Sequence, residues 1–173
     1  GEPDLDPQTM VRLPDYETIS QPSDEGKRAY ARHFMLQKEV GDRLAASPGA
    51  KDYGALSVFF QLYFDVTREL IVRPGSFHPV PKVDSAVLCF VPLEKTRVPV
   101  GDEQFFRRLV KGAFSMRRKT LWNCLKGADL GLSGEQLLEA LAQCGIEPGR
   151  RGETLGLNEF AALSRAMIGL GGK

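Results

Sequence analysis

A run of basic residues is the first feature of this sequence that can do chemistry. Within "FSMRRKTLWNCL", residues 114–125, Arg117, Arg118 and Lys119 are consecutive, and a threonine and an asparagine follow them. A point charge, planar guanidinium forks and neutral donors together suit the oxygens of a phosphate backbone. The alternative is a solvated helix face, which normally carries charges of both signs.

The charge pattern of the whole chain favours the phosphate interpretation. The formal net charge is only +1, yet residues 104–128 hold seven basic residues and no acidic one. Residues 1–25 show the reverse, with seven acidic residues against Arg12 alone. This asymmetry predicts a polyanionic partner for the basic segment. Its basic residues are Arg107, Arg108, Lys111, Arg117, Arg118, Lys119 and Lys126.

A second arginine motif lies further along the chain. "GRRGETLG", residues 149–156, places Arg150 and Arg151 in a glycine-flanked turn between predicted helices. Arginines in a loop are weak evidence on their own. They support a nucleic-acid interface only if the fold brings them to the same face as residues 117–119.

The loop that opens "GSFHPVPKVDSAVLCF", residues 75–90, is stiffened by Pro79 and Pro81, which fix two φ angles and restrict the residues before them. A rigid loop can present Phe77 as a stacking face and Lys82 as a phosphate contact. The alternative is that Phe77 closes the core while the prolines protect a strand end.

Other kinds of site are not indicated. His33 and His78 have no nucleophile or carboxylate at a spacing that predicts a hydrolytic triad, and no strand precedes the terminal "GLGGK" to make it a phosphate loop. The three cysteines are far apart, so we expect buried reduced thiols, no zinc and no other metal. With no membrane-length apolar run and no signal segment, a cytoplasmic protein is expected.

The elements that position these residues follow from periodicity. The pattern predicts a strand at 33–37, a helical turn or two after it, a buried helix at 53–64, and strands at 66–74 and 85–93 that are antiparallel neighbours. Helical spacing follows at 105–113, and whether one helix or two cover 105–125 stays open, with Ser115 as a candidate cap. A capping box at Ser133 and Gln136 starts a further helix, and the last helix carries Phe160, Leu163 and Met167.

We therefore predict four segments. Residues 1–31 are acidic and irregular, residues 32–93 form the end of an α/β domain, residues 94–101 are a linker, and residues 102–173 form a helical RNA-binding domain. Three strands with two helices make a thin core with unpaired edges, so the α/β part is expected to belong to something larger.

Four segments together resemble one family. "HFMLQKEVGDRLAASPGAKDYGALSV", "FHPVPKVDSAV", "AFSMRRKTLWNCL" and "RRGETLGLNEF" occur in the order found in the ribosomal RNA adenine dimethyltransferases, which modify two adjacent adenines near the 3′ end of small-subunit rRNA. The likeness runs from about residue 32 to residue 167. The "KVDSA" form is more similar to the housekeeping enzymes than to their antibiotic-resistance relatives that act on the large subunit.

The resemblance implies a doubly wound class I methyltransferase domain that binds S-adenosylmethionine, followed by a small all-helical domain, with only the C-terminal part present here. The expected partners are small-subunit rRNA and the pre-ribosomal particle. Phe77 and Pro79 then border the target-adenine pocket. The expected RNA-binding residues are Lys82, Arg107, Arg108, Lys111, Arg117, Arg118, Lys119 and Arg151.

The sequence also departs from the family pattern. The glycine-rich cofactor loop is absent, so no S-adenosylmethionine is expected to bind this chain alone, and the chain alone is expected to be inactive. The family's N-L-P-Y motif has only "RLPDYETISQP" in its place, with Arg12 where Asn belongs and Asp15 before Tyr16. No catalytic residue is therefore assigned. The alternative is a non-catalytic RNA-binding or ribosome-assembly module on the same scaffold.

Overall fold

The computed structural model describes residues 31–173 and the backbone of Val11 and Arg12. The prediction for residues 1–31 therefore falls mostly outside the described residues. Within that segment Val11 and Arg12 pair with Met35 and Phe34 as a short strand.

The described strands form one antiparallel sheet. They are β1 (Val11–Arg12), β2 (Arg32–Gln37), β3 (Phe64–Val72) and β4 (Ser85–Pro92), in the order β1-β2-β4-β3. The predicted antiparallel pairing of β3 with β4 is confirmed. The register moves from Arg68 opposite Leu88 to Leu70 opposite Val87, so Glu69 is the extra residue of a β-bulge.

Six α-helices are described. They are α1 (Lys38–Leu44), α2 (Ala55–Tyr63), α3 (Glu103–Ala113), α4 (Leu121–Lys126), α5 (Gly134–Gln143) and α6 (Leu157–Gly169). Single 3₁₀ turns cover Pro74–Ser76 and Gly152–Thr154. None of the helices in the described part of the chain is long and apolar enough to cross a membrane.

The described residues form two compact units. The sheet unit contains the described residues up to 46 and residues 63–97, and the helical unit contains residues 47–62 and 98–173. The division at 97/98 falls inside the predicted linker, but α2 groups with the helical unit, whereas the sequence placed it in the α/β part. Contacts to the helical unit come from this helix, where the Phe59 ring lies 5.8 Å from the Arg107 guanidinium, and from Tyr53 just before it. The Tyr53 ring lies 5.9 Å from that of Phe114, and its hydroxyl donates to the carbonyl oxygen of Leu155 at 2.9 Å.

In the sheet unit, α1 covers one face of the sheet. A Cβ added at Gly41 would lie 2.8 Å from Leu88 Cδ1 and 3.0 Å from Ala86 Cβ, so glycine allows this helix to approach β4 closely. On the same side, Asp42 accepts from Lys38 at 2.5 Å and also pairs with Arg68 of β3. These two partners, Lys38 above all, hold the pKa of Asp42 below its usual value.

The helical unit has a well-filled apolar core. Its largest fully buried side chains include Phe105, Phe106, Leu109, Leu125, Phe160 and Leu163. Burying each side chain of this kind contributes on the order of 1.5–3 kcal/mol. The predicted capping box of Ser133 and Gln136 is confirmed at the start of α5, and Gly145, with φ of 65°, follows its end.

Residues 105–125 form two helices and not one. Helix α3 ends at Ala113, and α4 begins after Thr120, whose hydroxyl accepts from the backbone N–H of Asn123. Ser115 is not the cap that the sequence suggested. It lies in the turn that joins the two helices, where its N–H donates to the carbonyl oxygen of Gly112 at 3.1 Å.

Candidate nucleic-acid interface

The three consecutive basic residues lie in the turn between α3 and α4. The turn is closed by a hydrogen bond of 2.9 Å from the N–H of Lys119 to the carbonyl oxygen of Met116. Buried Val110 and Ala113 fix the end of the preceding helix, and buried Leu121 fixes the start of the next. The run is therefore a rigidly mounted turn and not the solvated helix face that was its alternative interpretation.

The three basic side chains of this turn differ in what they contact. The guanidinium of Arg117 donates to the carbonyl oxygen of Lys51 and lies 3.4 Å from a carboxylate oxygen of Glu153. Arg118 and Lys119 are exposed, and neither forms an ion pair with any residue in the described ranges. Two full positive charges are thus presented to solvent, while Arg117 also ties two loops together.

The "RRGE" turn packs against the start of α4. The N–H of Leu121 donates to the carbonyl oxygen of Arg150 at 2.6 Å, and the N–H of Trp122 donates to that of Pro148 at 3.2 Å. A Cβ added at Gly152 would lie 2.5 Å from the carbonyl oxygen of Ala113, so only glycine fits at this approach to α3. These backbone contacts place the turn beside residues 114–120.

The two arginines of this turn have different roles. Arg150 pairs with both carboxylate oxygens of Glu159, at 2.5 and 3.2 Å, and donates to the carbonyl oxygen of Thr154 at 2.8 Å. This pairing raises the pKa of Arg150, and the hydrogen bond from Arg150 lowers the pKa of the Glu159 carboxyl. Arg151 is 55% exposed, with Glu153 at 4.0 Å as its ionic partner among the described residues.

Glu153 is the residue that brings the two motifs together. It lies within ion-pair distance of both Arg117 and Arg151. Its backbone carbonyl also accepts from the N–H of Gly49 at 2.7 Å, which holds the loop of Lys51 in the same place. The condition set by the sequence, that Arg151 shares a face with residues 117–119, is therefore met for Arg117. We call this set the basic cluster: Lys51, Arg117, Arg118, Lys119 and Arg151.

Tyr53 lies two residues after Lys51 of the basic cluster and is buried. Its burial, with a smaller contribution from the charge of Glu159, raises the pKa of Tyr53 to about 12. The hydroxyl therefore stays protonated and keeps donating to Leu155. Since Tyr53 follows Lys51 by two residues, this contact fixes the backbone on which Lys51 is carried.

Three further predicted RNA-binding residues lie on the exposed side of α3. Arg107 and Arg108 each place their guanidinium near an aromatic ring, 5.8 Å from the Phe59 centroid and 5.7 Å from the Phe105 centroid respectively. Lys111 is exposed one turn further on. Arginines that are held against rings lose less freedom when they bind a phosphate.

In the sheet unit, the loop of residues 73–84 connects β3 to β4, begins with a hydrogen-bonded turn and is anchored to α1 at its last residue. The N–H of Phe77 donates to the carbonyl oxygen of Pro74 at 3.1 Å, and the carbonyl oxygen of Asp84 accepts from the N–H of Lys38 at 2.8 Å. Phe77 is half-buried and Lys82 is exposed. We call residues 73–84 the base loop. It also contains Pro79, which follows a cis peptide bond and is exposed.

The described residues do not fit S-adenosylmethionine. Such a cofactor is held where a parallel strand passes through a glycine-rich turn into a helix. Within residues 31–173 every strand pairing is antiparallel, and β2 runs directly into α1 without a glycine turn. Gly41, inside α1, is used for packing against β4.

Two solved structures share the fold of this chain. A dimethyladenosine transferase from Plasmodium falciparum superposes with a TM-score of 0.70 at 24% identity, over 82% of this chain and 58% of that one. The 23S rRNA methyltransferase ErmE superposes with a TM-score of 0.54 at 18% identity, over 80% of this chain and 55% of that one. The chain thus shares its fold with part of each of these two proteins, and the predicted α/β part followed by helices is confirmed.

Sequence comparison identifies the family. The sequence model described as ribosomal RNA adenine dimethylase matches residues 19–161, and the chain belongs to this family. The protein named ribosomal RNA small subunit methyltransferase A is 88% identical over 140 residues in Geobacter metallireducens, covering 81% of this chain and 51% of that protein. The protein of the same name in Clostridium acetobutylicum is 49% identical over 158 residues, covering 90% and 56%. The chain spans about half the length of the curated relatives it matches.

Sequence reasoning missed two residues of the basic cluster region. Lys51 joins it only because its carbonyl oxygen accepts from Arg117, and Glu153 joins it as the shared acidic partner. Lys51 lies 66 residues from Arg117, and no local pattern signals that pairing. The acidic residue in "RRGE" was visible, but its partner across the fold was not.

Proposed function

We propose that this chain forms the RNA-binding and base-holding part of an S-adenosylmethionine-dependent rRNA adenine N6-dimethyltransferase. The complete enzyme is cytoplasmic and acts on two adjacent adenines of small-subunit rRNA. The observation that carries the proposal is the basic cluster. Two family motifs that are far apart in sequence meet at Glu153, and the exposed charges of Arg118, Lys119 and Arg151 lie beside that junction.

In this proposal the helical unit holds the phosphate backbone. Lys51, Arg118, Lys119 and Arg151 contact backbone oxygens, and Arg107, Arg108 and Lys111 extend the positive surface along α3. Phosphate contacts position the RNA without reading its sequence. They suit a protein whose substrate is selected within a larger ribosomal particle.

The base loop holds the target adenine. An exocyclic amino group can be methylated only after the base has left its stack, at a cost of a few kcal/mol. Stacking on an aromatic ring returns about 1–3 kcal/mol per base. Phe77 provides that ring, Pro79 borders it, and Lys82 contacts the adjoining phosphate.

The chain's own residues supply no methyl donor. S-adenosylmethionine, when bound to the complete enzyme, supplies the methyl group, and the described residues offer no cradle for it. The proposal therefore assigns cofactor binding and the catalytic asparagine to a methyltransferase half that precedes residue 31 in the full-length enzyme.

The experiment joins this chain to the N-terminal half of the Geobacter metallireducens relative and measures transfer of labelled methyl groups to small ribosomal subunits. We expect transfer to two adjacent adenines of small-subunit rRNA. The Phe77→Ala variant should lose most of this activity, whereas Val80→Ala, a change at a 62% exposed position of the same loop, should keep it. Absence of transfer by the folded fusion would contradict the proposal.

A second candidate function is a non-catalytic RNA-binding or ribosome-assembly module. It is favoured by the lack of a cofactor cradle in residues 31–173. The two candidates differ in the fusion experiment, because a module of this kind would bind small subunits with equal affinity whether or not the methyltransferase half is attached, and would transfer nothing.

A further inference from the structure

Three side chains with different donor atoms converge on the face of the sheet opposite α1. They are His33 on β2, Glu69 on β3 and Cys89 on β4, and their nitrogen, oxygen and sulfur donor atoms all lie within 4.8 Å of one another. His33 Nε2 is 3.6 Å from a carboxylate oxygen of Glu69. No other group of this kind is found in residues 31–173.

The sheet register explains the convergence. His33 and Cys89 are directly opposite each other in the β2–β4 pairing, so their side chains leave the same face as neighbours. Alternation along β4 puts Cys89 on the face opposite Leu88, which packs against Gly41 of α1. The bulge in β3 supplies the third group. Arg68 points to the α1 side, where it pairs with Asp42, and the extra residue Glu69 lies on the other side beside His33.

We propose that His33, Glu69 and Cys89 bind a divalent metal ion of intermediate softness, such as Zn²⁺. An imidazole nitrogen, a thiolate and a carboxylate are the three donor types that zinc accepts. Tetrahedral bonds of about 2.0–2.3 Å place neighbouring ligand atoms roughly 3.3–3.8 Å apart. The His33–Glu69 distance is already in this range, and small torsional changes bring Cys89 into it.

The donor set also selects the class of ion. A thiolate disfavours Mg²⁺ and Ca²⁺, which prefer oxygen ligands, whereas nitrogen with sulfur suits Zn²⁺ and Co²⁺. Three protein ligands leave a fourth position for water. Glu69 is 45% exposed and His33 only 22%, so water can reach that fourth position from the carboxylate side.

A metal ion at this place would join β2, β3 and β4 through side chains. This runs against the sequence-based expectation of no metal, which considered only closely spaced His and Cys residues. Because each ligand comes from a different strand, the site exists only in the folded sheet, and binding must stabilise the fold.

The test uses the purified chain after chelator treatment, titrated with Zn²⁺ by calorimetry and with Co²⁺ by absorption spectroscopy. We expect one ion per chain, a rise in the melting temperature with Zn²⁺, and a thiolate-to-Co²⁺ charge-transfer band in the near ultraviolet. His33→Ala, Glu69→Gln and Cys89→Ser should each weaken Zn²⁺ binding by roughly tenfold or more, and Cys89→Ser should abolish the band.

Matched controls are present in the same chain. Cys144 is a second half-buried thiol and His78 is the second of the two histidines, and neither belongs to the cluster. Cys144→Ser and His78→Ala should leave the affinity and the spectrum unchanged. If the unmodified chain binds Co²⁺ without a charge-transfer band, or Cys89→Ser binds Zn²⁺ as tightly as the unmodified chain, the proposal is wrong. The first outcome does not depend on the folding of any variant.

Discussion

The basic cluster and the base loop are mounted in different ways. The basic cluster lies on turns whose backbone groups are hydrogen-bonded to neighbouring turns, above a core of fully buried phenylalanines and leucines. The base loop is tied to α1 at its last residue and carries exposed apolar residues, with Val80 at 62% and Val83 at 49% exposure. The adjoining edge strand adds Leu70 at 50%.

This difference suggests a division of roles. Charged contacts to phosphate bind more tightly when their backbone is already rigid, because the entropy cost of ordering that backbone is paid during folding and not during binding. A loop that receives a flipped base needs exposed apolar surface, since that surface is covered only when the base arrives. Under the proposed function, the rigid turns of the helical unit would hold phosphate and the exposed loop at the sheet edge would receive the base.

The largest effect that separates the two regions is on folding. Phe106→Ala empties a fully buried position in the helical core and should cost about 3–5 kcal/mol, whereas Leu70→Ala at the exposed sheet edge should cost less than about 1 kcal/mol. Denaturant unfolding measures both, followed by the fluorescence of Trp122, the single tryptophan, for the helical unit and by far-ultraviolet circular dichroism for the sheet unit. Equal losses would mean that the edge strand is covered in the free chain.

The next effect concerns the junction of the two arginine turns. Gly152→Ala brings a methyl group against the carbonyl oxygen of Ala113 and should cost about 1–3 kcal/mol. Gly149→Ala is the matched control, because nothing lies within 4 Å of its added Cβ and its φ is not in the left-handed region. Unfolding curves of both variants decide this, and a neutral Gly152→Ala would show that the two turns are not tightly joined.

The base loop should affect RNA affinity and leave stability nearly unchanged. Phe77→Ala removes the stacking face and should weaken binding of an adenine-containing single strand by about 1–3 kcal/mol, whereas Phe77→Tyr keeps the face and the affinity. Fluorescence anisotropy of a labelled oligonucleotide measures both. An unchanged affinity in Phe77→Ala would favour the alternative in which Phe77 only closes the core.

The smallest effect is on the pH dependence of stability. Because Arg150 lowers the folded-state pKa of Glu159, this carboxylate stabilises the fold above its ordinary pKa of 4.5, and the contribution is lost as the pH falls through the lowered value. In the Glu159→Gln variant, the free energy of unfolding should fall less steeply as the pH drops below 4.5. The difference from the unmodified chain should be less than about 1 kcal/mol, since the pair is partly exposed. If the free energy of unfolding depends on pH identically in both proteins, this pair does not contribute to the loss of stability in acid.

Much of this architecture could be predicted from local signals. Strand alternation predicted β2, β3 and β4, and the serine–glutamine spacing predicted the start of α5. The cap at Thr120 was missed because serine is the stronger N-cap by intrinsic preference, which favoured Ser115. Only the packing of Leu121 against the "RRGE" turn decides for Thr120. The grouping of α2 with the helices involves contacts between residues far apart in sequence, such as Tyr53 with Leu155, 102 residues on.

The candidate sites show the same limit. The exposed arginines of residues 104–128 could be predicted from composition. Seven basic residues without an acidic one cannot pair with each other, so most are expected to face solvent or a polyanion. Their division into structural and exposed members could not. Arg150 and Arg151 are adjacent in sequence, and only the position of Glu159 determines that the first forms an internal ion pair. The trio of His33, Glu69 and Cys89 likewise depends on a bulge that no local pattern indicated.

The most direct test of the central claim is the salt dependence of small-subunit rRNA binding. The logarithm of the binding constant is measured against the logarithm of salt concentration for the unmodified chain, for Arg118→Ala with Lys119→Ala, and for the control Lys95→Ala with Lys173→Ala, which removes the same charge outside the basic segment of residues 104–128. Each lost single-strand phosphate contact lowers the slope by about 0.7, so the first pair should lower it by about 1.4 and the control should leave it unchanged. Equal slopes for all three proteins would contradict the assignment of the basic cluster to RNA.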